Sequence, residues 1–260
     1  MKEIYMQELL KKKWSRSPKH ILRMHCLLDI LKDVNPVNFL EIGAGTGDFT
    51  QIFLEKGIFG TCYDLGEENR QILKKNLISY KETVQIVDSL AEIENKKFGS
   101  LFAFEVLEHI EDDTEALQLW TNYLSDGGLL LLSVPAHMRK YSDEDKRVGH
   151  IRRYEKNSLH NMVSSAGFEN IKITNYGYPL GNLTRYISML FAARDYKNDE
   201  ALSMQERSIK SGVERVELVN KLSFLFNEVT LAPFLWTQRL FYNLDLGDGY
   251  VLSATKNIAK

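Results

Sequence analysis

Three glycines at alternate positions follow an acid in the run Phe39-Leu40-Glu41-Ile42-Gly43-Ala44-Gly45-Thr46-Gly47. Glycines so spaced let a chain leave a strand in a sharp turn and bring its backbone against a ligand. The helix that follows turns its N-terminal amides toward the same place. A dinucleotide fingerprint, G-x-G-x-x-G, would need a glycine at position 48, where the sequence has Asp48. A carboxylate there would face a pyrophosphate, which argues against NAD or FAD. No G-K-[ST] follows, which excludes a phosphate-binding P-loop. Further acids come after short apolar runs: Asp64 with Leu65 after GTCY, Asp88-Ser89 after VQIV, and Glu105 and Glu108 in Phe104-Glu105-Val106-Leu107-Glu108-His109. Each acid has a local structural use as a turn former, a helix cap or a first-turn acid. Their recurrence after successive apolar runs points instead to one shared ligand.

A second group of reactive side chains lies between Val134 and Tyr154: His137, Asp145, His150, Arg152, Arg153 and Tyr154. A neutral imidazole is suited to removing a proton near pH 7. His150 is the favoured base, with Asp145 to orient it and Arg152 or Arg153 to contact an anionic group on the acceptor. The competing reading makes these groups a salt-linked loop that closes the site without handling protons. The segment is too charged for a strand and reads as irregular rather than helical. His109 reads as a cap or packing residue. No His, Cys and acid set falls at ligand spacing on one short element, so no metal is indicated.

The elements that must position these groups alternate. Strands are expected at 37–41, 60–63, 83–87, 100–104, 129–134, 168–176 and 250–255, with helices at 48–56, 67–76, 112–124 and 158–166. Such alternation specifies a mostly parallel sheet with helices on both faces, since every parallel crossover needs a covering element. Residues 1–34 read as an N-terminal helical extension and 178–246 as a helical insertion before the last strand. The core is then 35–177 with 247–260.

Composition narrows the partners. The 260 residues are 44% hydrophobic and 26% charged, with a formal net charge of −2, a globular balance that gives no global pull toward nucleic acid. The two cysteines, Cys26 and Cys62, sit among apolar neighbours and read as buried thiols. No signal-type start or membrane-length apolar run is evident, so a cytoplasmic location is expected.

The Glu41-x-Gly43-x-Gly45-x-Gly47 turn, with acids after successive strands and a segment reading V-P-A…D-x-x-x-G-H-x-R-R-Y, resembles a bacterial branch of the class I S-adenosylmethionine-dependent methyltransferases. The resemblance spans about residues 14–176 plus the last strand, with Trp14-Ser15-Arg16 matching part of that branch's start. It implies a Rossmann-like seven-stranded α/β fold and S-adenosyl-L-methionine as cofactor. It also implies cofactor contacts from Glu41, Gly43, Gly45, Gly47, Asp64, Leu65, Asp88, Ser89, Phe104 and Glu105. Asp64 would take the ribose hydroxyls, Asp88-Ser89 would lie near the adenine, and Phe104-Glu105 would face the methionine end. His137, Asp145, Arg152, Arg153 and Tyr154 would line the acceptor side, with His150 catalytic. The expected reaction is methylation of a small-molecule or lipid/glycan-linked acceptor, on oxygen. The alternatives are an RNA or DNA methyltransferase, against which the charge balance and the missing D/N-P-P-[YFW] segment stand, or a protein that holds the cofactor without catalysis. The helical insertion is read either as packing or as an apolar cap, with peripheral membrane contact open.

Overall fold

The computed structural model describes residues 16–186, 202–213 and 227–258. Trp14, Ser15 and the Lys11-Lys12-Lys13 cluster lie outside them, as do most of the apolar positions between 213 and 226. The chain opens with helix α1 (Pro18–Ile30), where Ser17 caps by accepting from the His20 amide and Pro18 supplies a fixed φ at the first turn. There follow β1 (Phe39–Ile42), α2 (Asp48–Glu55), β2 (Gly60–Tyr63), α3 (Glu67–Asn76), β3 (Val84–Val87), β4 (Phe98–Phe104) and α4 (Asp113–Thr121). The rest is β5 (Leu124–Pro135), α5 (Asp143–Val148), α6 (Lys156–Ser165), β6 (Phe168–Tyr176), α7 (Met204–Val213), α8 (Glu228–Arg239) and β7 (Gly249–Lys256).

The seven strands form one sheet in the order β3-β2-β1-β4-β5-β7-β6. All pairs are parallel except those of β7, which runs antiparallel to β5 and β6. The chain steps outward from β1 to β3, then returns to lay β4 on the other side of β1. That reversal opens a crevice at the carboxyl ends of β1 and β4, where ligands bind in open α/β sheets.

Side-chain alternation divides each central strand between two cores. Leu40, Leu101, Ala103, Leu130 and Leu132 pack with Leu117, Trp120, Leu159 and Val163 of α4 and α6. Phe39, Phe102 and Leu131 face the other way, among Leu22 and Leu27 of α1, Phe53 of α2 and Leu73 of α3. Both faces are covered, which is why Leu129 to Leu132 is an unbroken apolar run. Phe102 stacks on Phe53 at 4.1 Å and on Phe39 at 5.2 Å between ring centroids.

Two expectations are corrected. The segment 137–154 is not irregular throughout: Ser142 and Asp145 form a capping box that starts α5, and Gly149 ends it in a left-handed conformation. The expected strand at 129–134 begins earlier, at Leu124, with a register shift opposite Phe98 and Ser100. Within 178–246, α8 lies against α1 rather than over the crevice. Leu231 and Leu235 join the core on that side, Gln238 Nε2 donates to the Leu22 carbonyl, and Arg239 pairs with Asp29 at 2.7 Å. The outward residues Val229, Trp236 and Leu240 of this segment stay exposed. It is α7 that approaches the crevice.

Candidate active site

A cavity of about 930 Å³ occupies the crevice at the carboxyl ends of β1, β2 and β4. Its first wall is the glycine turn. Gly43, Gly45 and Gly47 all have positive φ, at 72°, 55° and 83°. A Cβ on Gly43 would run into Cγ2 of Val106, so this glycine allows the β1 and β4 turns to touch. Gly47 does not line the cavity; its own Cβ would stand 2.7 Å from Leu73 Cδ1, so it serves the close packing of α2 on α3. Beneath the turn, Glu41 is buried and accepts a 2.5 Å hydrogen bond from Thr50, and burial pushes its carboxyl up to about 8.

Asp64 is held at the end of β2 by the Gly45 amide at 2.8 Å, the Gly66 amide at 3.0 Å and Asn69 Nδ2 at 3.0 Å. Burial raises its pKa and these donors offset part of the rise. A buried carboxylate beside a glycine turn is matched to a pair of hydroxyls, since its two oxygens retain acceptor capacity. Leu65, Phe104 and Glu105 also line the cavity. Asp88 and Ser89 do not. Asp88 is exposed and bound to Arg70 at 3.0 Å, while Ser89 caps the short turn that carries Leu90 to the cavity wall. The sequence pattern placed the acid after β3 correctly, but neighbouring cations turn it outward.

At the far end of the cavity the lining is charged. Glu105, at a φ of 56°, is 3.4 Å from Lys19 and 3.1 Å from Arg23, both on α1. Burial opposes ionisation of Glu105, but the two cations outweigh it and hold the carboxyl well below its usual range. Asp248, just before β7, lies 3.4 Å from Lys19 and 3.1 Å from Arg153. Asp48 faces the cavity at the head of α2, gripped by Arg16 at 2.8 Å and His20 at 2.6 Å.

The loop after β5 brings in the imidazole. His150 Nδ1 is 2.9 Å from Asp145 Oδ1, and Arg153 Nε donates to the same oxygen at 2.8 Å. Burial opposes the charge on Asp145, but these two partners hold its pKa low. Burial lowers the pKa of His150 despite that carboxylate, which leaves a neutral ring with Nδ1 protonated and Nε2 open. His109 also lines the cavity, its Nδ1 donating to the Gly149 carbonyl at 3.0 Å. Its ring stands edge-on to His150, 4.9 Å between centroids.

Of the expected acceptor residues, Asp145, His150 and Arg153 therefore meet at the cavity. The other three serve the scaffold. Arg152 is bound to Asp113 at 2.8 Å and to the Glu111 carbonyl at 2.7 Å. Tyr154 donates to the same Asp113 at 2.9 Å from within the core. His137 is buried beside Glu155 at 3.3 Å and packs against the Tyr250 ring. Sequence reasoning missed Asp248, which carries no local motif; it read Lys19 and Arg23, with Lys11-Lys12-Lys13 and Arg16, as an early basic cluster that either faces a phosphate-bearing acceptor or acidic lipid or forms a solvated helix face. Helix α7, part of the insertion read as packing or as an apolar cap, brings Met204, Gln205, Ser208 and Ile209 to the cavity and reaches Asn69 through the Ile209 carbonyl.

A seven-stranded sheet of this order, with a glycine turn and an acid at the next strand end, is the Rossmann-like class I methyltransferase fold. The chain belongs to the methyltransferase domain family, whose model matches residues 6–173. Part of the chain is 27% identical to a ubiquinone biosynthesis O-methyltransferase of Xanthomonas oryzae pv. oryzae, over 39% of this chain and 44% of that protein. The similarity thus spans less than half of the curated relative. In fold it is similar to phosphoethanolamine N-methyltransferase 2 of Haemonchus contortus in complex with S-adenosyl-L-methionine, with a TM-score of 0.56 and 14% identity, covering 91% of this chain and 52% of that one. It is also similar to a methyltransferase structure from Bacillus halodurans, with a TM-score of 0.55 and 15% identity over 90% and 99% of the two chains. Among the described residues no helix is long and apolar enough to cross a membrane.

Proposed function

We propose that this enzyme methylates a hydroxyl oxygen of a small polar acceptor, and that His150 receives the hydroxyl proton. The carrying observation is His150 at the cavity wall, its Nδ1 fixed by Asp145 at 2.9 Å. A ring held that way presents the lone pair of Nε2, which is what a general base needs.

The residues suit the cofactor. Gly43 and Gly45 bring their backbone to the cavity wall, Asp64 offers acceptors to the ribose, and Glu105 and Asp48 also line the cavity. S-adenosyl-L-methionine, when bound, supplies an activated methyl group with a good leaving group. The chain's own residues orient the acceptor, exclude water and take up its proton. The polar character of the acceptor follows from Glu105, Glu144, Asp145, Arg147, Arg153 and Asp248 at that end of the cavity. An apolar tunnel roofed by 231–244, which a lipid chain would need, is not what α8 builds. Cations and anions are interleaved there, unlike the one-signed cleft that tracks a phosphate backbone. Oxygen as target draws on the O-methyltransferase activity of the Xanthomonas relative and on the presence of a base. His150→Gln tests the reading. Cofactor affinity should stay within about twofold while turnover falls roughly 100-fold or more. Unchanged turnover would remove His150 from the chemistry.

A further inference from the structure

Among the described residues, Arg147 is the one lysine or arginine on the cavity wall whose charge has no partner. Lys19 lies 3.4 Å from both Glu105 and Asp248, and Arg23 is 3.1 Å from Glu105. Arg153 is 2.8 Å from Asp145, and Arg185 is 3.4 Å from Asp248. Arg147 lines the same cavity, yet it makes no ion pair or hydrogen bond with any described residue, and its Nε is buried without an acceptor. A guanidinium keeps its charge at any physiological pH and can only donate. Leaving a buried donor of a charged group unmatched is costly, and an anion is the acceptor that matches it best.

Local structure sets where that guanidinium stands. The Ser142–Asp145 capping box starts α5, and Gly149 ends it at a φ of 84°. Gly149 packs closely under α7, where a Cβ would stand 2.5 Å from the Met204 carbonyl oxygen. Arg147 is carried on this braced helix and is half-buried. His150 follows three residues later, across the helix end, and lines the same cavity. Glu144, one turn before Arg147, also lines the cavity but forms no ion pair with it. Burial raises the Glu144 pKa, the direction that favours an uncharged carboxyl. The Arg147 charge is left for a ligand.

We propose that Arg147 binds a carboxylate of the acceptor, so that the substrate is a small hydroxy acid anchored at Arg147 while its hydroxyl meets His150. A planar guanidinium matches the two oxygens of a carboxylate as a bidentate pair. A phosphate monoester carries about −1.5 to −2 charge at pH 7 and calls for more donors than one arginine beside Glu144 offers. The anion site stands on the unpartnered guanidinium. That its occupant is the acceptor rests on the reading that a hydroxyl is methylated beside His150.

The test separates the two. Full-length protein labelled with nitrogen-15 arginine and loaded with S-adenosylhomocysteine is titrated with acetate, inorganic phosphate and chloride at matched ionic strength. The Arg147 Nε–H resonance, identified by its absence in Arg147→Lys, should move saturably with acetate, more weakly with phosphate and not with chloride. The same movement is expected in His150→Gln. A resonance unmoved by acetate overturns the site, and a response to phosphate alone overturns its assignment to a carboxylate. Turnover then tests the substrate class, with carbon-13 methyl S-adenosylmethionine and a polar low-molecular-weight extract. Capping the carboxylates of the extract with methylamine and a carbodiimide should cut labelled product at least roughly tenfold. Arg147→Gln should raise the extract concentration needed for half-maximal rate at least roughly tenfold, with the maximal rate within about threefold, and Arg147→Lys should recover part of the loss. Circular dichroism and S-adenosylhomocysteine affinity of both variants keep a folding failure distinct from loss of a contact. Product undiminished by capping, or an unchanged concentration dependence in folded Arg147→Gln, overturns the assigned substrate class. A label on nitrogen or carbon contradicts the hydroxyl reading instead, and the acetate titration still decides the anion site.

Discussion

One carboxylate oxygen, Oδ1 of Asp145, joins His150 Nδ1 at 2.9 Å and Arg153 Nε at 2.8 Å. Arg153 continues to Asp248 at 3.1 Å, which ties the loop after β5 to the entry of β7. The ring of His150 is thereby fixed from behind. Asp145→Asn removes the charge and lets an amide donate where only acceptance is useful. Turnover should fall roughly tenfold or more, with cofactor affinity within about twofold. The kinetic signature is a change in kcat larger than that in the acceptor KM. A fall in cofactor affinity matching the fall in kcat would show Asp145 to act on the scaffold instead.

Asp64 divides the cavity in the opposite sense. Its carboxylate is held by Gly45, Gly66 and Asn69 rather than by a cation. Asp64→Ala should weaken S-adenosylhomocysteine binding by roughly 10- to 100-fold, the worth of hydrogen bonds to a charged group. Calorimetry measures this without any acceptor. Affinity unchanged in a folded Asp64→Ala protein would place the ribose elsewhere.

Gly43 carries a geometric prediction. With φ at 72° and Val106 against the site of a Cβ, Gly43→Ala meets both backbone strain and a collision. The left-handed conformation alone costs about 1–2 kcal/mol. Denaturant unfolding should show at least that loss, and the displaced turn should lower cofactor affinity as well. A variant of normal stability and affinity would mean that the turn is not read correctly.

The ion pairs of Asp48 set a pH dependence. Burial raises its pKa, but hydrogen bonds from His20 and Arg16 outweigh this and hold it at about 2, below the ordinary 3.8. A carboxyl depressed on folding stabilises the native state above its unfolded pKa, and that contribution is lost as pH falls through the folded one. The difference is worth about 2 kcal/mol. Asp48→Asn should therefore cost about that much at pH 7, and the gap to the parent should shrink between pH 4 and about 2. Urea unfolding at several pH values measures it. A gap independent of pH down to about 2 would remove the ionised carboxylate as its source.

The glycine-turn side of the cavity was legible because it is local. A glycine turn, an acid after β2 and the Phe104-Glu105 pair each sit at a strand end, and strand ends are visible as apolar runs. Asp88 shows the limit: the pattern finds the strand end but not the direction of the side chain, which Arg70 and Lys74 decide. The charged end of the cavity is assembled from distant pieces. Lys19 of α1, His150 and Asp248 share one cavity from three parts of the chain, and periodicity carries no trace of their meeting. Tyr154 and Arg152 were drawn from a motif whose residues serve Asp113 in the scaffold.

The most direct test of the account is the position of the transferred methyl. S-adenosylmethionine labelled with carbon-13 in its methyl group, incubated with the enzyme and a polar low-molecular-weight extract, yields a product whose methyl environment can be read by NMR. A label bonded to oxygen of a small polar compound is expected, formed by the parent enzyme and strongly reduced in His150→Gln. A label bonded to nitrogen or carbon, or equal product from the variant, would contradict it.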